Sequence, residues 1–156
     1  MTRINLIHVQ DLADQHLFAE WREIKMIPAA LTRSLKTKSQ AEVLKSIPAK
    51  YTLNTGHVLF FYDKMDFLHN RYVALTEELK QRDYNISEHD PIAIFIDSVP
   101  GEFVNDWTPD KEAIAINVER VVQRLNERPE WYRHWGKITT PDYFKALYDL
   151  HIEQSV

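Results

Sequence analysis

The residue types best suited to chemistry stand at the start of the chain. Thr2 is small, so the initiator Met1 is expected to be removed, leaving the Thr2 α-amine free. An α-amine has a reference pKa of about 7.7–8.0, against about 10.4 for lysine, so roughly a tenth of it is unprotonated at neutral pH. It is the readiest amine nucleophile a protein has. A helix is expected from near Leu12, with Asp11 as its N-cap. At about 100° per residue, Ala13, Leu17, Trp21 and Ile24 fall in one narrow arc, a core stripe. His16, Glu20 and Glu23 fall in the neighbouring arc, with Gln15 and Arg22 on its far side. One helix can thus bury a stripe and still present an acid, a histidine and an arginine. A carboxylate near a primary amine suits Schiff-base chemistry on a sugar. His16 and Glu20, one turn apart, could instead form a metal pair or a simple hydrogen-bonded pair. The chain offers no compelling third ligand, and no metal site is expected.

The elements that must position these groups are mostly helical. Pro28 marks a bend or restart, followed by helical pieces over residues 29–37 and 40–47, the second ended by Pro48. Residues 50–59 carry the turn signal Asn-Thr-Gly and read as a loop. Residues 60–82 form the clearest helix: Phe61, Met65, Leu68, Tyr72, Leu75 and Leu79 recur at helical spacing, opposite Asp66, Asn70, Glu77 and Lys80. Residues 83–107 read as a long irregular connection whose length implies that it is packed or functional. Its apolar run 92–96 is expected as a buried turn or a short strand. Thr108-Pro109-Asp110 reads as the start of a helix reaching Glu127, with Ile114, Val118, Val121, Val122 and Leu125 as its core stripe and Asn117, Arg120 and Arg124 on another face. Residues 131–137 interleave aromatic and basic side chains. Thr140-Pro141-Asp142 starts a last helix carrying Tyr143, Phe144, Leu147, Tyr148 and His151. The expected fold is a single compact, mostly all-α domain of three main helices plus short ones, a long irregular connection and a C-terminal helical extension.

Composition narrows the function classes. The 156 residues suffice for one domain with a sizeable core. The absence of cysteine excludes disulfides and thiolate metal sites, and three glycines leave no room for a glycine-rich phosphate loop. No basic-then-apolar leader and no long apolar run is present, so a cytoplasmic protein with no membrane partner is expected. The net charge of −4 argues against nucleic acid, but its distribution argues less firmly. Residues 1–82 are net +3, residues 83–107 net −6 and residues 108–156 net −1. The deficit sits in one segment, which leaves room for a basic face elsewhere.

The words MTRINL, LADQHL-x-AE-x-RE and GHV-x-FFYDK-x-x-FL resemble the pyrimidine-dimer DNA glycosylase/AP lyase family, the endonuclease V-like enzymes of UV repair. The likeness runs from Met1 to about Lys137, so residues 1–137 are expected to form the family-like helical domain, with 138–156 an extension packed on it. The resemblance implies excision of UV-induced cyclobutane pyrimidine dimers by a monomer acting on double-stranded DNA, without cofactor, in a bacterial or viral setting. It implies that the Thr2 amine attacks C1′ of the sugar, and that Glu23 stabilises the developing charge and then takes a C2′ proton. It implies that Arg3, Arg22, Arg120 and Arg124 hold phosphates through their guanidinium forks; at 124 the family carries lysine. Gln15 and His16 match family residues near the lesion and the active-site sugar. Trp131, Tyr132, Arg133 and Lys137 match an aromatic-basic tail linked to binding of the damaged base pair, although such a tail also suits a plug closing the core. Met26 stands where the family has an arginine, Trp21 replaces a tyrosine, and the acidic 83–107 segment and the C-terminal residues depart from the family pattern. Two alternatives follow from these departures: the same chemistry on another base lesion or an abasic site, or a relative that binds DNA or protein without chemistry.

Overall fold

The computed structural model of the chain describes residues 4–155. Met1, Thr2 and Arg3 lie outside the described residues, and so does Val156. The fold is mostly α, with eight α-helices and one two-stranded hairpin among the described residues. After a 3-10 turn over Val9–Asp11 come α1 (Asp14–Glu23), α2 (Met26–Thr37), α3 (Gln40–Ser46), α4 (His57–Phe60), α5 (Met65–Gln81), α6 (Pro91–Ile96) and α7 (Lys111–Glu127). The hairpin pairs β1 (Arg133–His134) with β2 (Lys137–Ile138), and α8 (Pro141–Gln154) closes the chain. No helix among the described residues is long and apolar enough to cross a membrane.

The helices bury the stripes that periodicity predicts. Ala13, Leu17, Trp21 and Ile24 in and flanking the first helix are buried, as are Met65, Leu68, Tyr72, Leu75 and Leu79 of α5 and Ile114, Val118, Val121 and Leu125 of α7, whereas Val122, expected in the same α7 stripe, is only partly buried. α1 packs on α5, and α7 packs on α8. Pro28 sits in the first turn of α2, where its missing N–H leaves no intrahelical bond unmade. The α3 helix opens on a capping box: the Ser39 hydroxyl accepts from the Glu42 amide at 3.1 Å, and the Glu42 carboxylate accepts from the Ser39 amide at 3.2 Å.

Several elements differ from expectation, among them α2, which starts at Met26 rather than 29, and α4, which begins inside the expected 50–59 loop. The first helix starts at Asp14, not near Leu12, and Asp11 lies in the preceding 3-10 turn without capping it. The second long helix starts at Met65 rather than 60, after the separate turn α4. Phe61 is still buried, but in an aromatic cluster with Tyr51, Phe60 and Trp107 that needs no continuous helix. The 92–96 run is helical, not a strand or an irregular turn: Asp90 accepts from the Ala93 amide at 3.0 Å, Pro91 opens the helix, and only one side is covered, with Ile92 buried and Ile94 exposed. The next helix is capped by Asp110, whose carboxylate takes the Ala113 amide at 2.8 Å, so the Thr108-Pro109 signal lies two residues upstream of the cap.

The acidic connection is packed. Tyr72 donates to the His89 carbonyl at 2.9 Å, His69 meets Asp90 at 2.8 Å and Lys80 meets Glu88 at 2.7 Å, so α5 gathers the segment along its flank. At the C-terminus, Thr140 caps α8 through the Tyr143 amide, and Phe144 and Tyr148 are fully buried. With those rings in the shared core, Phe144→Ala should cost about 3–5 kcal/mol. Urea unfolding should show that loss in one cooperative transition. A small, separate early transition would instead make α8 an independent appendage.

Candidate active site

The described chain begins inside a buried polar network. The Ile4 amide donates to His57 Nε2 at 3.2 Å, and the Tyr51 hydroxyl donates to the Ile4 carbonyl at 3.4 Å. His57 Nδ1 lies 2.8 Å from the Thr52 carbonyl. A carbonyl can only accept and an amide can only donate, so this pattern requires the neutral ring with its proton on Nδ1. Asn117 of α7 accepts the Leu6 amide at 2.7 Å and donates to Asn5 Oδ1 at 3.1 Å. Asn5 in turn donates to Glu20 of α1 at 2.9 Å. Arg71 of α5 grips both Glu20 oxygens, at 2.7 and 3.0 Å, and donates to the Ile7 carbonyl at 2.6 Å. The Glu20 side chain is fully buried and that of Arg71 nearly so. Losing one member of such a pair leaves an uncompensated buried charge, at about 3–5 kcal/mol. Side chains of four helices, α1, α4, α5 and α7, therefore hold residues 4–7 in a fixed course.

The same face of α1 carries His16 and, two turns later, Glu23. Glu23 is half-buried and His16 is buried. The His16 ring lies tilted against Tyr132, with centroids 4.7 Å apart, and its buried Nδ1 has no hydrogen-bond partner among the described residues. Burial, aided by the Arg124 charge, pushes its pKa down to about 4, so the ring is neutral at pH 7. Arg124 has a buried Nε without a partner and reaches Glu127 at 3.4 Å. One turn earlier on α7, Arg120 donates to Asn54 at 3.0 Å. His16, Tyr132 and Arg124 thus converge, with Arg120 next along α7. The alternative of a His16–Glu20 pair does not form: the Glu20 oxygens bond to Asn5 and Arg71.

This segment and this helix fall within residues 1–91, which match the family model described as pyrimidine dimer DNA glycosylase. The chain belongs to that family. The match takes in α1 and α5 but ends before α7 and the hairpin, so it does not reach the part of the expected likeness that runs on to Lys137.

The remaining residues expected to act in this glycosylase-family chain divide by position. Thr2 and Arg3 lie outside the described residues. Gln15 is spent on structure: its amide nitrogen donates to the Trp131 carbonyl at 2.8 Å, and its oxygen accepts the Arg133 amide at 3.1 Å. It ties α1 to the aromatic-basic tail. Tyr132 is buried and plugs the core, whereas Trp131, Arg133 and Lys137 are exposed, with Arg128 stacked 4.1 Å from the Trp131 ring. Arg22 is exposed beside Phe18, away from the His16 cluster. Lys25 does not substitute for the arginine that Met26 replaces: its ammonium rests 4.0 Å over the Trp21 ring, and Met26 is exposed. A groove of about 710 Å3 near His8, Asn70, Arg71 and His151 contains none of the expected residues.

Sequence reasoning missed Asn5, His57, Arg71 and Asn117. One signal was present: Asn117 lies among the apolar residues 114, 118 and 121, and a polar side chain on a buried arc must find a partner.

The His16 environment sets a pH dependence. Above pH 6.5 the ring is neutral in both the folded and unfolded chain, and its contribution to stability is complete. As pH falls through 6.5 towards about 4, the unfolded chain binds a proton that the folded chain refuses, and stability is lost. His16→Gln should therefore narrow the difference in urea midpoint between about pH 7 and about pH 4.5. An unchanged difference would mean that the folded protein does not hold this ring neutral.

Proposed function

We propose that the chain is a pyrimidine-dimer DNA glycosylase with AP-lyase activity on damaged double-stranded DNA. Its nucleophile is the Thr2 α-amine, freed by removal of Met1, and Glu23 is the carboxylate that serves it. The observation that carries this reading is the family match over residues 1–91. Two features of the described residues support it: residues 4–7 are anchored beside α1, and Glu23 and His16 share the face of α1 that Glu20 turns towards that segment.

The chemistry balances as follows. The amine nitrogen bonds to C1′ while the C1′–N bond to the base breaks, and the departing base takes a proton from solvent. Glu23 stabilises the positive charge developing on the sugar. Opening of the C1′–O4′ bond, with transfer of a proton from nitrogen to O4′, gives the protonated Schiff base. Glu23 then accepts a proton from C2′, and the electrons released expel the 3′ phosphate by cleavage of the C3′–O bond. Water hydrolyses the Schiff base and restores the amine. His16, neutral at pH 7, lines the same face of α1 as Glu23.

Binding falls to basic and aromatic groups, not all of them beside His16. Arg3, Arg22, Arg120 and Arg124 hold phosphates, and Trp131, Arg133 and Lys137 meet the duplex at the lesion. Unstacking a base costs a few kcal/mol, and less where a dimer has already distorted the helix.

Glu23→Gln tests the assignment. It should lower strand cleavage of dimer-containing duplex by about 10²–10⁴-fold, the usual contribution of a general base. Affinity for the same duplex should stay close to that of the unaltered protein. Cleavage by the unaltered protein should persist in excess chelator. A Glu23→Gln protein that still cuts at the normal rate would remove Glu23 from the mechanism.

A further inference from the structure

The hairpin tip is strained in a way its sequence does not explain. His134 pairs with Lys137, so Trp135 and Gly136 form a two-residue turn, with φ of 54° and 80°. Such a turn needs left-handed backbone at both positions and favours Asn-Gly. Glycine adopts this freely, but a bulky indole does not. Trp135 is nonetheless held there with half its surface exposed.

What holds it is Asp14. One carboxylate oxygen accepts the Trp135 amide at 3.1 Å, and the other accepts the Gly136 amide at 2.8 Å. Asp14 is itself fixed by Arg82, whose Nη1 donates to it at 2.8 Å. The guanidinium also donates to Glu78 and to the carbonyls of Val9, Gln10 and Leu12, so all five of its N–H donors are engaged. The Trp135 ring lies over it at 5.5 Å. A buried, fully coordinated ion pair at the first residue of α1 thus clasps the one turn that the chain alone would not hold.

We propose that Asp14 is a positioning residue for lesion binding. It fixes the tip of the aromatic-basic hairpin against the helix that carries His16 and Glu23, so that the duplex-contacting surface and the reacting groups keep one geometry. This inference rests on the DNA-repair reading above. Strain maintained at an exposed aromatic tip is the mark of a surface kept ready for a partner. The chemistry of the surrounding side chains, Arg128, Trp131, Arg133 and Lys137, suits a nucleic-acid strand.

Two variants test it. Asp14→Ala removes the clasp. Gly136→Ala strains the tip from the other side, since a Cβ there meets nothing within 4 Å and only the backbone φ of 80° resists it. Each should weaken binding to dimer-containing duplex about tenfold, the scale of one lost stacking contact. The turnover number on abasic duplex at saturating DNA should fall by much less than the affinity does. Asp14→Asn, which keeps one acceptor oxygen, should recover part of the binding. If Asp14→Ala does not fold, Gly136→Ala decides the matter alone. Unchanged affinity in the folded variants, or a turnover number that falls in step with affinity, overturns the proposal. Unaltered protein that binds the lesion but cuts neither duplex sinks the enzymatic reading only, because the affinity comparison still decides the role of Asp14.

Discussion

The structure depends on a carboxylate buried where water cannot reach it. Glu20 sits inside the protein with no exposed side-chain surface, and its cost is met by Arg71 and Asn5, which together supply three hydrogen bonds to its oxygens. A buried pair of this kind contributes little net stability against an apolar substitute of the same shape. What it does supply is direction. Asn5 and the Ile7 carbonyl can be satisfied only if the N-terminal segment follows one course, and Asn117 closes the same network from α7. Ile4, Leu6 and Ile7 also anchor this segment in the apolar core, and the hydrogen bonds to buried polar groups fix which backbone groups face which helix.

A second arginine of the same origin repeats the device. Arg71 and Arg82 are eleven residues apart, close to three helical turns, which puts both on one side of α5 about 16 Å apart. The first staples Ile7 and Glu20; the second staples Val9, Gln10, Leu12 and Asp14. The long helix therefore fixes the N-terminal segment and the start of α1 as one unit. The hairpin is attached to that unit through Asp14, Gln15 and the bond from His134 to the Gln10 carbonyl. Residues far apart in sequence, on α1, α5 and the hairpin, thereby come to share one hydrogen-bonded support.

The part of this legible in the sequence was the part with a period. Leu17 and Trp21, or Leu68 and Leu75, announce a buried face by spacing alone, and the family words named the reacting groups. The caps were harder. Asp11, Asp14, Thr108 and Asp110 are all acceptable N-caps by type, and only the tertiary partners separate them: Asp14 caps nothing because Arg82 and the hairpin claim its oxygens. The run 92–96 is too short for its periodicity to distinguish helix from strand. The staples were invisible because each joins residues fifty to seventy positions apart, and no local pattern tells an arginine which carboxylate it will meet. Gln15 shows the same limit: the resemblance implied a role near the lesion, and its actual bonds are to the backbone of Trp131 and Arg133.

These supports fix residues 4–7 beside α1, and the proposed chemistry at Thr2 can be tested directly. Borohydride reduction during reaction with dimer-containing duplex freezes a Schiff base as a stable amine linkage, and peptide mass spectrometry then locates the sugar on the chain. The account requires the adduct on the peptide that begins at Thr2, attached to its α-nitrogen. An adduct mapped to Lys25 or any other lysine, or no adduct from protein that cuts the same DNA, would contradict it.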